Sequence, residues 1–313
     1  MQIIGKTNID FIGMRRYAFI FSAALVIIGI VSLGIIVLGQ ADLSIDFAGG
    51  TLIRGSFSEA VAVGDLRSAL ADAGYGDAKI HAVSGTAHDG TPIRNTFDIR
   101  VKGSAEAADS VAGLLGTAIA QAFPDKGFKL DKDRLVYVGP SVGQELQSQA
   151  RTAVIVALVC ILVYIWIRFD FRFGVAATIA TFHDVLAVLG LMFLFQREIS
   201  LLVVSALLTL AGYSLTDTVV VFDRIRENLK FFRKKGDFVS AVNQSINEVL
   251  SRTLMTSITT FLAVASILVL GGEVVRDFAL ALTLGVVIGT YSSVFVASPI
   301  VVVWENRAPK RFK

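Results

Sequence analysis

The chain has 313 residues, of which 54% are hydrophobic and only 18% are charged, and its mean hydropathy is +0.67. A soluble globular domain has about a quarter of its residues charged, so this composition excludes an ordinary soluble enzyme and a disordered chain. The single cysteine, Cys160, excludes a disulfide scaffold and a cysteine-rich metal site.

Six apolar segments reach or approach the length of about 20 residues that a helix needs to cross a bilayer. They are 17–38, 153–167, 173–195, 201–222, 254–270 and 278–304. The second segment is short, and we expect it to extend back to Gln149, with Arg151 reaching toward the lipid headgroups. The sequence therefore predicts a polytopic α-helical membrane protein with six transmembrane helices.

The basic residues of the short loops predict the orientation of these spans, because Lys and Arg are enriched on the cytoplasmic side. With the N-terminus in the cytoplasm, 15 Lys and Arg residues face inside, against Arg197 and Arg276 in the two short outer loops. We therefore expect both termini to be cytoplasmic. The net charge of +3 then reflects membrane orientation, and we expect no nucleic-acid partner.

The segment between the first two spans has the pattern of a small α+β domain. Strands are predicted at 50–57, 78–83, 96–102 and 135–139, and helices at 60–73 and 105–123. The order βαββαβ predicts a ferredoxin-like periplasmic domain, with two helices on one face of a four-stranded antiparallel sheet. The predicted divisions are the N-terminus and first span (1–38), this outer domain (39–150), the remaining spans (151–304) and a cytoplasmic tail (305–313).

The cytoplasmic loop 223–251 alternates basic and apolar residues. This pattern predicts an amphipathic helix that lies on the inner leaflet, with a break at Gly236. A connector on the membrane surface and a docking site for a partner are both compatible with it.

The catalytic motifs H-E-x-x-H and C-x-x-C do not occur in the sequence. His183 and Asp184 are adjacent, so their side chains point about 100° apart on a helix, which is poor geometry for chelation. We expect no enzymatic activity, no cofactor and no metal. The energy for any work must come from a partner, an ion gradient or a bound substrate.

Two carboxylates fall inside the predicted spans, where a charge costs about 2.5–3.5 kcal/mol on insertion scales. Asp184 lies at the midpoint of the third span, and Asp217 lies in a polar interruption of the fourth, at 212–218. A carboxylate that changes its protonation state there is a candidate proton carrier. Hydrogen bonding that locks helix packing is the alternative, which accounts equally well for Asp184 and less well for Asp217.

Arg252 is a candidate counter-ion for Asp217, because it precedes the fifth span at a similar depth. The alternative is that it only extends toward the headgroups. The same face continues with Thr256, Thr259 and Thr260, whose hydroxyls are candidates for carrying water or protons.

Five segments resemble motifs of the SecF family of protein-export membrane proteins. They are DFAGGT (46–51), VGPSVGQEL (138–146), FHDV (182–185), YSLTDTVVVFDRIREN (213–228) and RT–TS (252–253 and 256–257). They occur in the family's order, and the resemblance extends over about 300 residues, from Asn8 to Arg307.

The resemblance implies a subunit that uses the proton motive force to assist late steps of Sec-dependent export across the bacterial inner membrane. It implies an obligate SecD-like partner, the SecY/SecE/SecG translocon, the accessory proteins YajC and YidC, membrane lipid and a translocating polypeptide. Asp217 and Arg252 match positions assigned to proton transport, and Asp184 matches the family's third-helix motif. The chain lacks the SecD half of fused versions, so we expect the full proton path to need the partner.

Glycines mark the entry and the exit of the predicted outer domain, where they are candidate hinges. The residues assigned to these two connectors are Asp46, Phe47, Gly49, Gly50, Thr51, Gly139, Pro140 and Gly143. A tight turn into the first strand is an alternative role for Gly49 and Gly50.

Three functions stay open at this point. The first is a proton-coupled subunit of protein export, and the second is half of a resistance–nodulation–division exporter of small molecules or lipids. The outer domain lacks long hydrophobic insertions for a small-molecule pocket, which disfavours the second. The third is a structural subunit whose buried Asp residues only hold helices together.

The orientation can be tested with a reporter fused after Leu130. We expect its activity to place segment 39–150 outside the cytoplasm, with reporters at both termini inside. A cytoplasmic signal from the Leu130 fusion would contradict the six-span orientation.

Overall fold

The computed structural model describes residues 7–41, 43–86, 92–102, 108–230 and 238–308. The elements in chain order are α1 (Arg15–Val37), α2 (Ile45–Ala48), β1 (Gly50–Ser56), α3 (Val63–Asp72), β2 (Lys79–Thr86), β3 (Pro92–Lys102), α4 (Ala108–Ala122), a 3₁₀ turn (Pro124–Lys126), β4 (Lys129–Val138), α5 (Pro140–Arg168), α6 (Phe171–Leu194), α7 (Leu201–Leu229), α8 (Phe238–Leu270), α9 (Glu273–Ser292), a π turn (Ser293–Ala297) and α10 (Ser298–Arg307).

Six helices within the described residues are long and apolar enough to cross a membrane. They are α1, α5, α6, α7, α8 and the continuous helical run from α9 through the π turn to α10. The predicted polytopic architecture is therefore confirmed. The orientation of the spans stays a prediction, and several of the basic residues behind it, at 1–6, 231–237 and 309–313, lie outside the described residues.

The sheet domain, β1–β4 with α3 and α4, follows α1. Its strands are antiparallel in the order β2-β3-β1-β4. Ile53 of β1 and Ile99 of β3 form one core with Leu66 of α3 and Leu115 of α4, so both helices pack on the same sheet face. The ferredoxin-like class stays a prediction, and the element order and strand order both agree with it.

Helix α5 begins much earlier than its apolar run. It starts at Pro140, immediately after β4, and continues for 29 residues to Arg168. Gly139 is its N-cap, and Pro140 occupies the first turn, where a missing N–H costs no hydrogen bond. The exit from the sheet domain is therefore the start of a membrane helix.

Helix α8 begins within the segment 223–251 that is predicted to lie on the membrane surface. It has 33 residues, about 50 Å at 1.5 Å per residue. Its first turns carry Phe238, Val242 and Ile246, which are buried against Phe222 and other residues of the bundle core. The position of this segment on the leaflet stays a prediction, and Gly236 lies outside the described residues.

Helix α1 packs on α6 through two glycines. A Cβ added to Gly190 would lie 2.8 Å from the backbone N of Gly29, and one added to Gly29 would lie 2.2 Å from the carbonyl O of Leu186. Small residues let helix backbones approach closely in membranes, where van der Waals packing replaces the hydrophobic drive.

Substitution of Gly190 by Ala should loosen this contact, because the opposing atoms belong to backbone and cannot move aside. We expect a lower unfolding temperature in detergent for Gly190→Ala. Gly212→Ala is the matched control, because nothing lies within 4 Å of a Cβ at that position of α7. Equal stability of the two variants would contradict the close-packing role.

Candidate functional site

Asp184 lies at the centre of the bundle and is fully buried. Ser214 of α7 and Ser292 of α9 both donate hydrogen bonds to its Oδ2, the latter over 2.7 Å. Nδ1 of the neighbouring His183 lies 2.8 Å from Oδ1. The carboxylate thus joins three membrane helices, which is the packing role considered for it from the sequence.

His183 is also buried, beside Tyr291 of α9, with 6.5 Å between the two ring centroids. The Tyr291 hydroxyl donates to the carbonyl O of Ala18 over 2.8 Å and lies 3.1 Å from Ser22 Oγ. The polar cluster therefore extends from α6 to α1. The side chains of His183 and Asp184 are in contact, although adjacent positions on a helix were expected to point them about 100° apart.

Asp217 has a different environment, although it too is buried, with 7% of its surface exposed. Ser257 of α8 donates to its Oδ2 over 3.3 Å, and Thr290 Oγ1 of α9 lies 2.6 Å from Ser257 Oγ. Among the described residues, Ser257 supplies the one side-chain hydrogen bond to Asp217. Asp184 has three polar partners, so the two carboxylates differ sharply in how completely they are satisfied.

Arg252 and Asp217 form no salt bridge, although the charge of Arg252 is close enough to act on the Asp217 carboxylate. Arg252 is exposed on α8, and it enters no ion pair within the described ranges. It precedes Ser257 by five residues, about 7.5 Å along the helix. Thr256 is also exposed, and its hydroxyl donates to backbone carbonyls of its own helix. Their roles in proton coupling stay predictions.

The residues that contact Asp217 and Asp184 lie on the helix faces that pack together. Sequence reasoning selected Thr256, Thr259 and Thr260 on α8, whereas the inward-facing hydroxyl is that of Ser257. Ser292 and Thr290 of α9 were missed as well. Both are polar residues within an apolar segment, which could have indicated them. The segment alone, however, does not show which of its faces is buried.

The DFAGGT segment docks on the start of α7 and α5. Asp46 Oδ2 accepts the backbone N–H of Leu201 over 3.2 Å. Phe47 is buried, and its carbonyl O accepts from Gln147 Nε2 over 2.9 Å. Thr51 is buried in β1, between Val101 and Tyr137 of the neighbouring strands.

The glycines of the two connectors contact each other's backbone. Gly49 has φ +70° and Gly50 has φ +136°, which side chains rarely adopt, and a Cβ on Gly49 would lie 3.1 Å from Cα of Pro140. A Cβ on Gly143 would lie 2.8 Å from the carbonyl O of Phe47. The entry and exit of the sheet domain are therefore one packed junction, and the hinge role of Gly49, Gly50, Gly139 and Gly143 stays a prediction.

Within the described ranges, no group of three or more His, Cys, Asp and Glu side chains is arranged to hold a metal ion. The polar groups described in the bundle include two carboxylates bonded by hydroxyls. Together with six membrane helices and one sheet domain, this defines a polytopic membrane protein with ionisable groups inside its bundle.

Comparisons with known proteins agree with this class. The family model "Protein export membrane protein SecD/SecF, C-terminal" matches residues 118–307. The chain is 44% identical over 302 residues to the protein translocase subunit SecF of Thermodesulfovibrio yellowstonii, with 96% of each chain covered. It is 42% identical over 303 residues to that of Desulfurispirillum indicum, covering 96% of this chain and 92% of the relative.

The fold is similar to the crystal structure of SecDF, a translocon-associated membrane protein from Thermus thermophilus. The TM-score is 0.78 at 37% identity, over 96% of this chain and 39% of the SecDF chain. The chain thus spans about two fifths of the length of that solved protein. With matches over nearly its whole length, it belongs to the SecD/SecF family of protein-export membrane proteins.

Replacement of Asp184 by Ala should destabilise the bundle, because Ser214, Ser292 and His183 would lose their shared partner in an apolar interior. We expect a loss of about 1–3 kcal/mol in the free energy of unfolding. Ser205→Ala is the control, since that exposed hydroxyl bonds only the carbonyl of Leu201 in its own helix. A denaturant titration in detergent that gives equal losses would contradict the central role of Asp184.

Proposed function

We propose that this chain is the SecF-type subunit of a SecD–SecF complex, in which proton movement drives late steps of polypeptide export. It would act as a transport component rather than an enzyme, in the inner membrane of a bacterium with both termini in the cytoplasm. Membership of the SecD/SecF family supports the assignment to protein export. The relatives' names favour this function over a small-molecule exporter.

The observation that carries the proton-coupling proposal is the incomplete satisfaction of Asp217. A carboxylate held by one hydroxyl can change its protonation state with less loss of hydrogen bonding than one held by three partners. Asp184 has those three partners and locks the helices. Asp217 is therefore the better candidate for proton exchange.

Helices α7 and α8 also carry buried hydroxyls that can bind water. The hydroxyls of Thr218, next to Asp217, and of Thr253, one turn before Ser257, are buried without a partner in the described part of the chain. Buried polar groups are normally paired, and ordered water supplies the partner where protein does not. Water at these hydroxyls would give protons a route toward Asp217.

A SecD-like partner is supported by the outward faces of α7 and α8. Thr216 and Thr256 are exposed there, each bonded to a carbonyl of its own helix, beside the exposed Arg252. Exposure of a charged residue to lipid costs free energy. We therefore expect a protein surface, rather than lipid, to cover this face. The SecY/SecE/SecG translocon, YajC and YidC are further partners that we propose, with the sheet domain facing the exported polypeptide.

The decisive variant is Asp217→Asn, which keeps size and hydrogen bonding but cannot titrate. We expect the variant to insert and to bind its SecD-like partner, yet to lose proton flux and gradient-driven export in proteoliposomes. Asp217→Glu should restore part of both, because it still titrates.

Asp223→Asn is the matched control on α7, since Asp223 lies near the helix end in an ion pair with Arg168. It should retain wild-type flux. Wild-type proton flux in Asp217→Asn would refute the proton-carrier role. Normal polypeptide export by the wild-type complex with no accompanying proton flux would refute proton coupling as a whole.

A further inference from the structure

Glu198 is a buried carboxylate in the short connection between α6 and α7, with 4% of its surface exposed. Arg100 of β3 donates a hydrogen bond to its Oε2. His81 Nε2 of β2 lies 3.6 Å from Oε1. The contact therefore joins two strands of the sheet domain to the membrane bundle, and none of these three residues belongs to a motif considered above.

The position of Arg100 and His81 follows from the alternation of side chains along the strands. Ile99 and Ile80 are neighbours across β3 and β2 and face the core under α3 and α4. Arg100 and His81, one position further along their strands, face the opposite side of the sheet. That face is turned toward the bundle, where Glu198 meets it.

The ionised state of Glu198 is favoured by its surroundings. Burial by itself raises the pKa of the carboxyl, but the adjacent imidazole of His81 and the guanidinium of Arg100 lower it by more. The pKa of Glu198 therefore lies below its ordinary value, and the group carries a charge at neutral pH. Removal of Arg100 would leave a buried charge without its main partner, which is strongly unfavourable.

The connection that carries Glu198 passes directly into α7. Ser44 donates its backbone N–H to the carbonyl O of Ile199 over 3.1 Å, and Ser200 is the N-cap of the helix, accepting from Val203. With Asp46 on the N–H of Leu201, the first turn of α7 is bound to the segment that enters the sheet domain.

Asp217 lies on the same helix, 16 residues after Leu201, which is about 24 Å at 1.5 Å per residue. Helix α7 has no break between these positions. A displacement of the helix at Asp217 must therefore reach the Glu198 end of the same rigid element.

We propose that Glu198, with Arg100 and His81, is the coupling contact through which movement of α7 is transmitted to the sheet domain. The proposal rests on the proton-driven function proposed above and assigns Glu198 as a positioning residue for it. The charge pair holds the sheet by its strands rather than by a loop, so a shift of the α6–α7 connection moves the whole domain.

The test uses the complete complex with its SecD-like partner in proteoliposomes, measuring proton flux and polypeptide export separately. Glu198→Gln keeps the shape of the side chain and removes its charge. We expect it to retain proton flux and lose export, so that the ratio of exported polypeptide to transported protons falls. Glu198→Arg combined with Arg100→Glu, which reverses the pair, should restore part of that ratio.

Asp98→Asn is the matched control, because Asp98 is buried on the same sheet face but pairs with Arg54 inside the domain, over 2.5 Å. It should keep the wild-type ratio. The unfolding temperatures of both neutralised variants are measured alongside, and export is compared only for folded, inserted protein.

The outcomes separate this inference from the proposed function. An unchanged ratio in Glu198→Gln, an equal loss of flux and export, or no restoration by the reversed pair would each overturn the coupling role. Absence of proton flux from the wild-type complex would instead overturn the proposed function itself.

Discussion

A carboxylate enclosed by apolar helices is tolerated only where neighbouring helices supply donors for it, and this constraint organises the bundle around Asp184. Its partners come from α6, α7 and α9, so these contacts hold the three helices together in the observed arrangement. The arrangement also fixes the faces of α7 and α9 that carry Asp217 and Thr290. Ser257 of α8 bonds to both of these residues. The resulting second polar cluster lies about one turn along α7 from the contact between Ser214 and Asp184.

Helix α7 takes part in both carboxylate clusters and in the junction with the sheet domain. Its middle contributes Ser214 to Asp184 and carries Asp217 about one turn further on, and its first turn is bound by Asp46. Asp184 of α6, which has three polar partners, and Asp217 of α7, which has one, are therefore linked through the same helix.

The sequence was sufficient for the spans and for the order of the sheet domain, because both depend on periodicity and on runs of apolar residues. It was not sufficient for helix ends: α5 and α8 extend far beyond their apolar segments through polar residues that face water or other protein. The two Asp residues were identifiable from the cost of burying them. Ser257 and Glu198 were not, because their significance depends on which surfaces meet in three dimensions.

The length of α8 exceeds the hydrocarbon core of a bilayer, which is about 30 Å thick, by roughly 20 Å at 1.5 Å per residue. The helix continues without interruption from Phe238, beyond the apolar run, to Ser257 beside Asp217. A tilt of α8 at Ser257 would therefore displace the Phe238 end against the turns of α7 on which it packs. A fluorophore attached near the start of α8 can therefore report a movement that begins beside Asp217.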